Sequence, residues 1–93
     1  MSNDKKKILE DKKKLVCKVV GEKVKSLRGD KGILLFSYEY DISSGSLHKI
    51  EKGIRDPQLT TLWRISEAFG IPFWQLIKEI QENLPKNFSF YDK

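Results

Sequence analysis

Few residues of this 93-residue chain are equipped for chemistry, and they are unevenly placed. His48 is the one histidine and Cys17 the one cysteine. An internal disulfide is therefore impossible, and neither a cysteine-rich zinc site nor a cluster of metal ligands can be assembled. No nucleophile–base pair and no phosphate-cradling loop can be drawn, so catalysis is the least favoured reading and no cofactor is expected. What remains is a run of hydrogen-bonding and cationic groups: Ser43, Ser44, Gly45, Ser46, His48, Lys49, Lys52 and Arg55. A lysine donates to guanine O6 or N7, serine and histidine donate or accept at base edges, and a glycine lets a partner come close. Lys52 and Arg55 suit phosphates, which position a protein without reading sequence. The chemistry on offer is recognition of a nucleic acid. As a catalytic base or metal ligand, His48 has no companion.

Those groups need a scaffold that presents them outward. On a helix over residues 43–52, Leu47 and Ile50 turn inward and leave Ser44, Gly45, His48 and Lys49 on the outer side. Ser43 is a good N-cap, Ser43 and Ser46 suit capping, packing or phosphate contact, and Gly53 is a good stop. Before this helix, Gly29, Asp30 and Gly32 form a breaker cluster, and Ile33–Tyr40 is an apolar stretch whose propensity suits a strand as well as a helix. A lone strand would have no partner in this chain, so a short buried helix is expected. Upstream, Val16, Val20, Val24 and Leu27 lie on one face of a first helix closing near Arg28, weakened but not ended by Gly21. Downstream, Asp56-Pro57 marks a helix start with proline at its first position, and Leu59, Leu62, Ile65, Ser66 and Phe69 recur at helical spacing up to Gly70. A last helix opens at Ile71-Pro72, with Trp74, Ile77, Ile80 and Leu84 as its apolar stripe up to Pro85. The expectation is an all-α domain of five helices over residues 15–84, between a basic N-terminal arm or frayed helix start (1–14) and a C-terminal tail (85–93).

Charge adds a partner class. The chain carries 18 Lys and Arg against 13 Asp and Glu, a net charge of +5. Residues 1–31 alone hold eleven basic and five acidic groups, a net of +6, so the remainder is nearly neutral. Lysines near phosphates release condensed counterions, and this asymmetry suits a polyanion; the competing reading is a solvated helix face that keeps the chain soluble. No apolar run approaches the length of a membrane span, and Lys18 interrupts the stretch from Leu15 to Val20. A cytoplasmic protein without a membrane partner is expected. With no second domain, no small-molecule effector is implied.

The ordered series from Phe36 to Ile71 resembles the Cro and C1 repressor type of helix-turn-helix, the XRE family. Phe36-Ser37 is similar to the Leu-Ala pair of the family's second helix, and Ile42-Ser43 to its Val-Ser entry to the third. Leu47, Ile50, Glu51 and Gly53 correspond to its Ile, Ile, Glu and Gly in the third helix and its stop. Pro57, Leu59, Leu62, Ile65, Ala68, Phe69, Gly70 and Ile71 correspond to the family's pattern downstream of that stop. The resemblance covers roughly residues 20–80 and implies a lambda-repressor-like fold, a recognition helix at about 43–52 in the major groove of double-stranded DNA, and an architectural pair between Glu51 and Arg28. Gly32-Ile33 departs from the family's Ser-Gln at the second helix, and Gly45 stands where a long polar reader is often found.

Such a domain seldom binds tightly alone. A homodimer is expected through Trp74, Ile77, Ile80 and Leu84 with the aromatic tail Phe88, Phe90 and Tyr91, more apolar surface than a monomer's last helix needs. The leading expectation is a sequence-specific transcriptional regulator. The alternative from another class is a protein-interaction module, such as an antitoxin or phage factor on the same fold, in which the apolar C-terminal surface works and the lysines only solubilise.

Overall fold

A computed structural model describes residues 2–91. Among them the chain forms five helices and no strand: α1 (Ser2–Arg28), α2 (Ile33–Tyr40), α3 (Ser44–Glu51), α4 (Leu59–Ala68) and α5 (Phe73–Glu82). The core gathers one side of each, with Val24, Phe36, Leu47, Ile50, Ile65 and Leu76 essentially closed to solvent. Val19, at 7% exposed, and Leu76 belong to this core although they lie outside the apolar stripes evident in the sequence.

Of the two expectations for residues 1–14, an arm or a helix start, α1 takes the second. The helix is continuous from Ser2, so the lysine-rich segment is its first half. The physical reason is composition: residues 2–28 hold no proline and one glycine, and Lys, Glu and Leu are good helix formers. Lys12 Nζ also reaches the Phe90 carbonyl at 3.3 Å, tying this half to the end of the chain. α1 is about 40 Å long at 1.5 Å per residue, and it sets the long dimension of a molecule measuring 47 × 24 × 21 Å.

Gly21 is the point where α1 and α3 touch. A Cβ there would fall on the Ile50 carbonyl oxygen and 2.7 Å from that of Glu51. Gly53 does the same one turn along α1. Its φ of +75° ends α3 in the left-handed region, and a Cβ on it would lie 2.9 Å from Lys18 Cα.

α2 has the expected span but is not buried. Only Phe36 reaches the core, where its ring meets Tyr40 at 4.9 Å and Phe69 at 5.0 Å. Leu34, Leu35 and Tyr38 are exposed, because one side of so short a helix suffices for its packing. α4 begins two residues later than Pro57 predicts, since Gln58 is still extended and serves as its N-cap. Leu59 consequently lies at the outer edge of the first turn and is exposed, while Leu62, Ile65 and Ser66 are buried. α5 divides the stripe read from the sequence: Ile80 enters the core, where Leu76 joins it from outside the stripe, and Trp74 and Ile77 stay exposed. Lys23 of α1 and Gln75 both bond Glu79, which crosses from α5 to α1 and holds that carboxyl below its ordinary range.

Candidate nucleic-acid interface

The connection between α2 and α3 determines how α3 is presented. α2 stops because Asp41 turns into the left-handed region, with φ 53°, and its backbone N–H bonds the Ser37 carbonyl. Arg64 of α4 donates from Nη2 to the carbonyls of Tyr40 at 2.9 Å and Asp41 at 2.7 Å. A charged donor thus satisfies two carbonyls at the end of α2 and fixes the turn against α4. Ile42, 4% exposed, anchors the turn from below. Ser43 then caps α3, its Oγ accepting from the Ser46 N–H at 3.3 Å.

The far end of α3 is held by an ion pair. Arg28 donates from Nε to Glu51 Oε2 at 2.6 Å and from Nη2 to Oε1 at 2.8 Å, and from Nη1 to the Lys31 carbonyl at 2.6 Å. Both side chains are largely enclosed, and the bond to Glu51 raises the Arg28 pKa further above its ordinary value, so the guanidinium stays charged. With Leu47 and Ile50 inside, α3 is braced at its cap, its middle and its last turn.

On the opposite side, Gly45, His48 and Lys49 are exposed, and Ser44 is half-buried beside them. Ser43 is exposed but engaged as the cap. Ser46 is half-buried and accepts at Oγ from Arg55 Nη1 at 2.8 Å, which brings the loop arginine back onto α3. Lys52, the C-cap residue, is exposed. The eight expected residues therefore lie together on α3, at its cap and on the loop after it, six exposed and two half-buried.

That loop rests on α1. Through Gly53 it touches Lys18, and Ile54 and Asp56 face Lys13, Lys14 and Cys17 across a shallow hollow. Cys17 sits at the junction, where burial first and Asp56 second push its thiol pKa up, which suits an inert packing cysteine.

Arg64 gives no signal of its role in the sequence. A lone arginine on an amphipathic helix does not show that it closes a turn 23 residues upstream. Gly21 does carry a signal, because an isolated glycine in a helical pattern usually marks a close packing contact.

Among the described residues, no three His, Cys, Asp or Glu side chains stand together as a metal site requires, and no helix is long and apolar enough to cross a membrane. Residues 37–73, from within α2 to the first residue of α5, match the family model described as Helix-turn-helix. No curated protein and no solved structure matches the chain.

Proposed function

We propose, from the Cro/C1-type helix-turn-helix at residues 37–73 in this all-α, lambda-repressor-like fold, that this DNA-binding protein is a sequence-specific transcriptional regulator that lays α3 in the major groove. The observation that carries this reading is the bracing of α3. Its inner side is fixed by Leu47, Ile50 and the Arg28–Glu51 pair, while Gly45, His48 and Lys49 stand free on the outer side. Ser44, Gly45, His48 and Lys49 read base edges in this proposal, and Ser43, Ser46, Lys52 and Arg55 hold phosphates. The lysines of α1 add contacts that are indifferent to sequence.

The regulator acts as a homodimer through Trp74, Ile77, Leu84 and the aromatic tail. Ile80, expected in that surface, is 5% exposed and belongs to the core. Two recognition helices about 34–36 Å apart then address half-sites one turn of DNA apart.

Selection from a random pool of duplexes tests the reading. A palindromic consensus is expected, with Lys49→Ala weakening the selected site about tenfold or more relative to unrelated DNA. Affinity unaffected by salt, or no enrichment of any sequence, overturns it. The exposed apolar side of α2, with Leu34, Leu35 and Tyr38, favours a second reading in which a protein is the main partner. Stoichiometric capture of a protein, abolished in a Tyr38→Ala variant and accompanied by no DNA enrichment, distinguishes the two.

A further inference from the structure

The turn between α2 and α3 contains a strained residue. Among the described residues, Asp41 is the single non-glycine residue with positive φ, at φ 53° and ψ 47°. A side chain in that region crowds the backbone, and a residue other than glycine stays there only when its surroundings hold it. Those surroundings are few. The N–H groups of Asp41 and Ile42 both reach the Ser37 carbonyl, Ile42 at 3.2 Å, and the Ile42 side chain is buried. The remaining hold is Arg64, whose Nη2 bonds the carbonyls of Tyr40 and Asp41, before and after the left-handed residue.

Arg64 stands on a fixed base. Its neighbours Ile65 and Ser66 are closed to solvent, and Phe69 of the same segment meets Phe36 of α2 at 5.0 Å. The two ends of α3 are held unequally. The far end has the Arg28–Glu51 pair at 2.6 and 2.8 Å, whereas the near end has a cap bond of 3.3 Å and the turn that leads into it.

We propose that Arg64 is a positioning residue for sequence selection: it holds the turn in its strained form and thereby sets the direction of the N-terminal half of α3. The proposal deepens the regulator reading and rests on it. Ser44 and Gly45, two of the proposed base readers, follow the cap directly, so a turn that relaxes displaces them while Ile50 and Glu51 stay in place. A reader shifted by about an ångström loses its contact. Attraction of the α1 lysines to phosphates is far less demanding of position and persists. An arginine can also act on DNA directly, by holding a phosphate, and the two roles separate at Asp41. If Arg64 works through the turn, glycine at position 41, which adopts a positive φ without strain, makes the clamp dispensable. A direct phosphate contact is indifferent to that replacement.

Four full-length proteins test this: the wild type, Arg64→Gln, Asp41→Gly and the double variant. Arg64 and Asp41 are both exposed, so all four are expected to fold, which thermal unfolding checks. Binding is measured over a salt series to the duplex that the wild type selects from a random pool and to an unrelated duplex. Arg64→Gln is expected to lower the ratio of the two affinities about tenfold or more, the size of one lost base contact. Its affinity for the unrelated duplex and the salt slope there stay unchanged. Asp41→Gly is expected to keep the wild-type ratio, and adding Arg64→Gln to it to lower the ratio by less than about threefold, a non-additivity that reports coupling between the two positions. Without DNA, amide exchange in Arg64→Gln is expected to quicken at Ile42 and Ser46 and not at Lys52, whose N–H bonds the His48 carbonyl at the far end of α3. Equal losses in the two backgrounds, a flattened salt slope on unrelated DNA, or exchange that quickens as much at Lys52 as at Ile42 overturns the proposal. A wild type that selects a sequence while Arg64→Gln selects it equally well overturns the proposal alone. A wild type that enriches no sequence overturns the regulator reading and takes the proposal with it.

Discussion

Arg28 and Glu51 are 23 positions apart in sequence, and between them they decide how firmly α3 is held. Glu51 is 6% exposed and Arg28 14%, so removing one partner strands the other charge away from water. Glu51→Gln is expected to lower stability by about 3–5 kcal/mol, the range for breaking a buried pair, measured by denaturant unfolding. A drop under about 1 kcal/mol would place the pair among ordinary surface bridges. Gly21 makes a second test, in which two effects oppose each other. Alanine in a helix interior gains about 1 kcal/mol over glycine. Here its methyl group would meet the backbone oxygens of Ile50 and Glu51, which cannot rotate aside, and overpacking of that kind costs about 1–3 kcal/mol. Gly21→Ala is therefore expected to reduce stability, with Tm falling by several degrees rather than rising. At this scale the pairing of Arg28 with Glu51 was legible through the family resemblance, and Ser43 as a cap was legible from residue type alone. The Arg64 clamp was not, because it depends on where α4 crosses the turn.

Among the elements, α2 and α3 are the ones whose limits follow from local chemistry: Gly32 before α2, Ser43 before α3 and Gly53 after it. Elsewhere such punctuation is absent or is overridden by the local backbone. Nothing between Ser2 and Leu15 stops a helix, so α1 runs through a segment whose lysines left an arm or a helix start open. Pro57 announced α4 two residues early, because the extended backbone of Gln58 postpones the first turn. The consequence for function is geometric, since lysines on a helix hold fixed bearings where those on a flexible arm do not. Lys7, Lys14, Lys18 and Lys25 recur at spacings of seven, four and seven and fall on one side of α1, and the loop carrying Lys52 and Arg55 touches that helix at Lys18. Replacing Lys7 and Lys14 by Gln is expected to weaken binding to all duplexes and to reduce the slope of log K against log salt by about 0.9 for each phosphate no longer neutralised. Lys5→Gln with Lys6→Gln, which lie off that side, is expected to change the slope less. Equal effects from the two pairs would mean that the segment acts as a diffuse cloud of charge, and disappearance of the site preference would make it a reader of sequence.

For the molecule as a whole, the surplus of +5 resides in α1 and the turn after it, while the proposed reader helix and the proposed dimer surface sit on a nearly neutral remainder. The proposed function thereby assigns affinity and choice of site to different parts of the chain, and the proposed homodimer links them. If the proposed homodimer is rigid, the two copies of α3 are fixed in relative orientation as well as joined. A joined but loosely tethered pair would tolerate changed spacing between half-sites, because a flexible tether allows simultaneous engagement over a range of distances. A rigid pair would not, since each base pair inserted rotates one half-site by about a tenth of a turn around the duplex. Inserting about five base pairs at the centre of the selected palindrome places the half-sites on opposite faces. Binding by the wild type is expected to fall about a hundredfold or more, to the level of a single half-site, and Trp74→Ala to bind the original and the expanded site alike. A wild type indifferent to the insertion would mean that the two readers are not held by a fixed axis, and the rigid contact at α5 would be wrong even if the protein dimerises.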